Sequence, residues 1–360
     1  MDAIADRVFA DTPGGPTNRI ADETPSLLTV ILDVNPLEWK KLEDAGTINL
    51  KKLLSSLLIM LNSHLALNSS NQVALYTANS FSGGAKLIYP KIEDDSDTAT
   101  AKKQSNLMMS SGMYRQFRII DGSILDDLNS LLRSIPDKLR NLLNDGQGTH
   151  IKGTLSGALS MALSYINKSQ KSIDPQQLGL KSRILIISIS DDNTLPYISI
   201  MNTIFAAQKM KISVDVCKLG NNSTFLQQAS DATNGVYIYI KQPEGLIQYL
   251  TTALFIDPTL RPIIVLPTNT SIDFRASCFI TNKVIDIGYV CSVCLCILSV
   301  IPQDEKCPTC HSKFDHNLIT RLKRKPKVLP LVKKKRKLEG TNGAEVDSEV
   351  GSNMGTPVPN

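Results

Sequence analysis

The sequence predicts an α/β fold with a mostly parallel sheet, helices on both faces, and a small C-terminal zinc-binding module. The run Leu27–Asn35 is apolar without alternation and leads into Asp33, which is typical of a strand buried on both faces. From Arg183 to Phe255, short apolar runs alternate with helical spacing, which indicates parallel strands joined by helices. Two cysteine pairs near the C-terminus predict the zinc module.

The order of elements follows from the apolar runs, which predict strands, and from the helical spacing of apolar residues, which predicts helices. Leu27–Asn35 is expected to be the first, central strand, and Pro36 to end its ladder pairing. Leucines at helical spacing predict a helix over 50–65 that packs on the sheet. The later strands are predicted at Val73–Thr77, Lys86–Tyr89 as an antiparallel edge, Arg183–Ile189, Ile212–Cys217 and Val236–Ile240. The later helices are predicted at Ser123–Leu143, which Pro136 should kink or split, and at Thr154–Ile166, Leu195–Met210, Ser223–Thr233 and Glu244–Phe255.

Length and composition allow one large domain and one small one. The chain has 360 residues and is 42% hydrophobic, which is enough for a sizeable core. No uncharged apolar run reaches about 18 residues and residues 1–25 lack an apolar signal core, so neither a membrane span nor secretion is expected. The predicted regions are a flexible N-terminus (1–23), an α/β domain (24–257), a linker with short strands (258–287), a zinc module (288–320) and a basic, disordered tail (321–360).

The charge of the chain is concentrated near its C-terminus. The net charge is +5, and a dense basic cluster lies between Arg321 and Lys337, so the remainder is close to neutral. The cluster is either a solvated tail or a nuclear import signal, and import is favoured because no aromatic residues are interleaved to stack bases. Any contact with DNA is therefore expected to be indirect or weak.

Five of the seven cysteines lie between Cys291 and Cys310, and four of them form two pairs. Cys291-x2-Cys294 and Cys307-x2-Cys310 can each form a tight knuckle, and together they can supply four thiolates to a tetrahedral zinc ion. The alternative is a set of free thiols in a reducing compartment. Cys296 is a spare residue expected to pack or point outward, and His311 is treated as a neighbour rather than a ligand.

The ligand count separates a single zinc site from a two-zinc RING domain. A RING needs about twice as many ligands, and Cys296, His311 and His316 do not fill a second site at a workable spacing. We therefore expect one structural zinc with four protein ligands and no open position for chemistry.

A second candidate site lies at the predicted carboxyl edge of the sheet. Four polar residues follow strands or begin a helix there: Asp33, Asn35, Thr154 and Asp191. Their oxygen atoms can coordinate a divalent cation. The alternative is ordinary structure, with Thr154 as a helix cap and Asp191 as a turn residue. Gly148-x4-Gly153 is similar to a phosphate-binding loop, but Thr154 stands where the loop requires lysine, so ATPase activity is excluded.

These motifs together resemble a known family. The strand ending Asp33-x-Asn35-Pro36, the later Gly153-Thr154-x4-Ala helix and the strand ending near Asp191 resemble a von Willebrand factor A domain. The added cysteine segment resembles the smaller von Willebrand A/zinc-finger subunits of general transcription factor IIH, over about residues 24–322. In metal-binding members of the wider family the first loop reads Asp-x-Ser-x-Ser. Here its positions hold Asp33, Asn35 and Leu37, so the resemblance implies a degenerate cation site that stays empty.

The resemblance implies a non-catalytic nuclear subunit of the transcription factor IIH core. It would act in RNA polymerase II initiation and nucleotide excision repair, bind the larger von Willebrand A/zinc subunit, and have no small-molecule substrate. Two other classes stay open at this point. A zinc-dependent ubiquitin ligase predicts two zinc ions, and a cation-dependent adhesion domain predicts a chelator-sensitive site away from the thiolates.

Overall fold

The structure is a computed structural model, and it describes residues 24–46, 48–80, 84–91, 115–144, 154–172, 179–192, 195–258, 260–261, 263–266 and 271–323. These residues belong to two compact units, of which one ends at Lys313 and the other begins at Phe314. The predicted N-terminal segment (1–23) and most of the predicted basic tail (321–360) fall outside the described residues.

A mixed sheet forms the centre of the first unit. Its strands lie in the order β3-β2-β1-β4-β5-β6, and every neighbouring pair is parallel except β2 with β3. The strand ranges are β1 Ser26–Asp33, β2 Gln72–Asn79, β3 Gly84–Tyr89, β4 Lys181–Ser188, β5 Ser213–Lys218 and β6 Tyr237–Tyr239. The expected mostly parallel sheet, with β1 in its interior and an antiparallel edge strand, is confirmed.

Helices cover both faces of this sheet. Their ranges are α1 Pro36–Asp44, α2 Leu50–Leu67, α3 Arg115–Asn144, α4 Leu155–Lys171, α5 Tyr197–Lys209, α6 Thr224–Ala232 and α7 Leu246–Thr252, the last preceded by a 3₁₀ turn, Pro243–Gly245. Alternate residues of β1 face opposite cores. Leu28 packs with α2, α3 and α7, whereas Leu27 and Ile31 pack with α4, α5 and α6.

Two helices differ from the sequence expectation. α1 begins directly after β1, because Asn35 caps it and Pro36 occupies its first position, so Pro36 both ends the strand and starts a helix. α3 runs without a break through Pro136, so this proline does not split the helix. The helical pattern before Pro136 is strongly amphipathic, and Ile124, Leu128 and Leu131 are buried against the sheet.

By length and composition alone, α2 is apolar enough to cross a bilayer. Its leucines are instead part of the protein core, since Leu53, Leu57 and Leu61 are at most 1% exposed and pack with residues of β1 and β2. A core helix is the simpler explanation for its composition.

Of two short antiparallel hairpins, one precedes the cysteine pairs and the other contains the first pair. Ala276–Ser277 (β7) pairs with Val284–Ile285 (β8), and Tyr289–Val290 (β9) pairs with Ile297–Leu298 (β10). β7 and β8 lie within 258–287, the stretch for which the sequence predicts a linker with short strands. The second unit contains a helix, α8, at His316–Lys323.

Candidate functional site

Four thiol groups converge at the end of the first unit. The Sγ atoms of Cys291, Cys294, Cys307 and Cys310 all lie within 4.8 Å of one another. Cys291 and Cys310 are 3.7 Å apart at sulfur, and Cys294 and Cys307 are 3.5 Å apart. Four sulfurs around a tetrahedral ion with metal–sulfur bonds of about 2.3 Å would be separated by roughly 3.8 Å. The cluster therefore has the size of a tetrathiolate metal site and can hold a metal ion.

Each cysteine pair sits in the same kind of backbone turn. After the first pair, Leu295 N donates to Cys291 O at 3.0 Å, and after the second, His311 N donates to Cys307 O at 3.0 Å. Both turn residues have a φ of +58°, so the two knuckles have matching geometry. Knuckle N–H groups also point at sulfur, and the backbone N–H of Cys294, with Ser312 Oγ, lowers the pKa of Cys291 to about 6. Such donors stabilise the thiolate form that binds metal.

The other potential ligands nearby stay outside the cluster. Cys296 contributes its carbonyl oxygen, which accepts from Cys291 N at 3.0 Å, and its thiol is not among the converging sulfurs. His311 is exposed and serves the turn through its backbone. Among the residues described, no second group of three or more cysteine, histidine or acidic ligands converges in this way.

Cys278 has a buried thiol to which the sequence analysis assigned no role. Its sulfur accepts from both N and Oγ of Ser299, each at 3.1 Å, and the residue is 0% exposed. Burial alone would raise the pKa of Cys278, but hydrogen bonds from Ser299 and Thr281 lower it to about 6. Phe279 N donates to Ile297 O at 2.9 Å, so the Cys278 turn is tied to β10 by its backbone and to the next residue, Ser299, by its sulfur.

Helix α6 joins the cysteine region to the sheet domain. Gln228 Nε2 donates to Asp273 O at 2.8 Å and to Arg275 O at 3.1 Å, and Gln227 Oε1 accepts from Asp273 N at 3.3 Å. Both glutamines are at most 7% exposed. Val284 of β8 packs against the core beneath α6. The segment leading to the cysteines is therefore fixed to the domain by partly buried hydrogen bonds and apolar contact.

The predicted cation ligands of the sheet edge have other roles. Asp33 is 4% exposed, and its Oδ2 accepts from Ser190 N at 2.9 Å and from Ile189 N at 3.2 Å. Asn35 Oδ1 caps α1 by accepting from Leu37 N at 3.2 Å. Burial raises the pKa of Asp33, although the Ser190 hydrogen bonds act in the opposite direction.

Thr154 and Asp191 do not complete a metal shell. Thr154 occupies the position before α4, where its carbonyl accepts from Ala158 N, but its side chain makes no capping hydrogen bond. Asp191 accepts from Asn221 Nδ2 at 3.0 Å in the loop after β4. In the described part of the chain, the carboxylates of Asp33 and Asp191 do not form a ligand group with a third acidic residue.

A buried lysine lies at this edge, and no pattern in the sequence singles it out. Lys218 ends β5 opposite Ser188 of β4 and is 0% exposed. Its Nζ donates to Ser190 O at 2.6 Å and to Ser188 Oγ at 3.4 Å. Burial lowers the pKa of Lys218, and the nearby Asp33, Asp192 and Asp191 oppose that shift in this order.

An open cavity of about 920 Å³ lies at the other end of the sheet, and its buried cations are already engaged. Arg183 is 2% exposed and donates to the carbonyls of Leu254, Phe255 and Ile256 at 3.0–3.1 Å, which caps the chain after α7. Arg261 pairs with Asp215. These two guanidinium groups therefore contribute to the stability of the fold.

Comparison with known proteins identifies the family. The family model described as Transcription factor Tfb4 matches residues 25–311. A relative from Debaryomyces hansenii, named General transcription and DNA repair factor IIH subunit TFB4, is 45% identical and covers 97% of this chain and 99% of its own length.

One solved structure agrees with this assignment. The crystal structure of the TFIIH p34 N-terminal domain is 36% identical, with a TM-score of 0.50, and covers 64% of this chain and 98% of its own. The VWA domain of SpRpn10 covers 63% of this chain and 94% of its own, with 12% identity and a TM-score of 0.37. The von Willebrand A-like fold expected from the sequence is confirmed. Because the matched region takes in both the sheet domain and all four converging cysteines, the chain belongs to the transcription factor Tfb4 family.

Proposed function

We propose that this protein is a non-catalytic structural subunit of the transcription factor IIH core, acting in RNA polymerase II transcription initiation and nucleotide excision repair. The observation that carries the proposal is the near full-length similarity to relatives named as subunits of general transcription and DNA repair factor IIH. The polar residues at the sheet edge are consistent with a structural, non-catalytic role, because Asp33, Asn35 and Lys218 all form internal hydrogen bonds.

The thiolate cluster is proposed to hold one structural zinc ion. Two knuckles with matching turns, and four sulfurs that all lie within 4.8 Å of one another, support zinc, which prefers four tetrahedral sulfur ligands in closed sites. Zinc analysis of the purified protein is expected to give one ion per chain. Cys307→Ser should remove it, whereas Cys296→Ser, a matched variant in the same module, should retain it.

The larger von Willebrand A/zinc subunit is the proposed principal partner, within an assembly of other factor IIH subunits in the nucleus. Exposed apolar side chains of the cysteine region support a docking role, since Ile287 is 90%, Leu295 70% and Val293 68% exposed. Direct binding of DNA is proposed to be weak or indirect, in keeping with the near-neutral composition outside the basic segment.

Co-expression provides the test. Tagged protein expressed with the remaining factor IIH core subunits is expected to co-purify with the larger von Willebrand A/zinc subunit at equal stoichiometry through gel filtration. A nuclear fraction depleted of this chain should lose transcription and repair activity and regain both on addition of the assembled core. Elution as a free monomer alongside an intact core would contradict the proposal.

The alternative of a zinc-dependent ubiquitin ligase finds no support in these relatives. Incubation with ubiquitin, activating enzyme and a panel of conjugating enzymes is expected to give no ubiquitin chains.

A further inference from the structure

Lys218 lies at the same carboxyl edge of the sheet as Asp33 and Asp191, two residues of the degenerate cation site that the family resemblance implies. The carboxyl edge of a parallel sheet is where ligands bind in open α/β folds, and β1, β4 and β5 all end there. A lysine is almost never fully buried unless it is paired, yet Lys218 is 0% exposed. Its position therefore calls for a specific role.

The groups around the ammonium are those of a cation site. Lys218 Nζ donates to the carbonyl oxygen of Ser190 at 2.6 Å and to the hydroxyl of Ser188 at 3.4 Å. The acidic residues that act on it are Asp33 on β1, Asp191 and Asp192 after β4, and Glu38 on α1. Asp33 is held in place by two amides of the same loop, Ile189 N and Ser190 N.

The residues do not fit a divalent ion. Such an ion requires about six oxygen ligands. The third position of the first loop is Leu37, which offers no side-chain oxygen, and the oxygen of Asn35 is used to cap α1. A second cation beside a buried ammonium would also be repelled.

We propose that the ammonium of Lys218 is a tethered cation that replaces the divalent ion of the wider fold family and makes this edge independent of metal. The lysine joins the loop after β4, through Ser190, to the end of β5. Asp33 joins the same loop to the end of β1. The charge that holds the three strand ends together is therefore supplied by the chain itself and cannot be removed by a chelator.

Burial lowers the pKa of Lys218 and raises that of Asp33, so each group alone would tend to lose its charge. The opposite charges of the two groups counter both shifts. Removal of either charge is therefore expected to destabilise this edge of the sheet, although the two groups meet through Ser190 rather than by direct contact.

A metal titration tests the proposal on the zinc-loaded full-length protein. Mg²⁺ at about 5 mM is expected to leave the thermal midpoint unchanged, and Mn²⁺, followed by electron paramagnetic resonance, is expected to show no tight site. Trp39 is the chain's single tryptophan, and its Nε1 donates to Asp33 O at 3.0 Å, so its fluorescence reports on this edge during unfolding. Binding of one Mn²⁺ that is lost in Asp33→Ala would overturn the proposal.

Variants test the charge directly. Lys218→Met keeps most of the aliphatic stem but removes the ammonium. It is expected to lower the thermal midpoint by about 10 °C, because Ser190 O loses its buried hydrogen bond and Asp33 loses a nearby positive charge. Lys218→Met combined with Asp33→Asn should recover at least half of that loss. Lys209→Met, at an exposed position on α5, is the control and should have no effect. A Lys218→Met midpoint equal to that of the control, or no recovery in the double variant, would show that the ammonium is not a structural cation.

Discussion

Arg261 forms a buried ion pair with Asp215, with Nη2 2.6 Å from Oδ2 and only 11% and 1% of the two side chains exposed. The other carboxylate oxygen accepts from Val236 N at 2.9 Å, and Arg261 Nη1 donates to Asn234 O at 3.1 Å. The pair thus links β5, the start of β6 and the segment that follows α7.

Replacing Arg261 with methionine is expected to destabilise the protein by about 3–5 kcal/mol, because the Asp215 carboxylate would stay buried without its partner. Urea unfolding followed by circular dichroism measures the effect. Combining the change with Asp215→Asn should recover much of the loss. A loss of less than about 1 kcal/mol in the single variant, as for an exposed ion pair, would contradict the buried role.

Gln228 is expected to control how firmly the cysteine region is attached to the sheet domain. Gln228→Ala removes two hydrogen bonds to the backbone of Asp273 and Arg275 and should cost about 1–3 kcal/mol. Limited proteolysis should then cut faster within 271–275, while zinc content stays unchanged. Gln208→Ala, at an exposed site on α5, is the matched control, and equal cleavage rates in the two variants would refute the attachment.

Loss of metal is expected to unfold the cysteine region first. A structural zinc site is stabilised by metal binding, so a strong chelator or Cys291→Ser should abolish protection of amides in 289–312. Hydrogen exchange measured by mass spectrometry should show that β1, β2 and β4 keep most of their protection, since their cores consist of apolar residues from the sheet and its helices. Uniform loss of protection across both regions would contradict this order.

The sequence was most informative where the relevant interactions are local. Cys291-x2-Cys294 and Cys307-x2-Cys310 encode two knuckles, each closed within a few residues, and the spacing alone predicted that the sulfurs meet. The apolar run of β1 likewise predicted a strand buried on both faces, and all its residues are buried. Its place in the interior of the sheet followed from the same burial.

The sheet edge was harder to predict because its contacts join distant segments. Asp33 meets Ser190 across 157 positions and Lys218 meets Ser190 across 28, which no local pattern records. A lysine at the end of an apolar strand usually marks the exposed end of that strand, so the sequence did not indicate that Lys218 is buried. The sequence of α1, by contrast, does contain a helix-start signal. Asn35 is the cap, Pro36 is the first helical residue and Glu38 is an acidic residue in the first turn, but Pro36 was interpreted only as the end of β1.

His64 is expected to make stability depend on pH in the mildly acidic range. The ring is 2% exposed on α2, and Nε2 lies 3.2 Å from the carbonyl oxygen of Ser26, so the neutral ring donates there. Burial, followed by the positive charge of Arg183, lowers the pKa of His64 from 6.5 to about 4.

The unfolded chain therefore binds a proton at His64 between pH 6.5 and 4 that the folded chain does not. The stability associated with the neutral ring is fully present above pH 6.5 and is lost as the pH falls towards 4, by about 2 kcal/mol between pH 7 and 5. Urea midpoints at these two pH values measure the change. His64→Gln should flatten the dependence, whatever its stability at pH 7, while His311→Gln, at an exposed turn, should keep it. An equal slope in His64→Gln and the parent protein would mean that other groups cause the acid sensitivity.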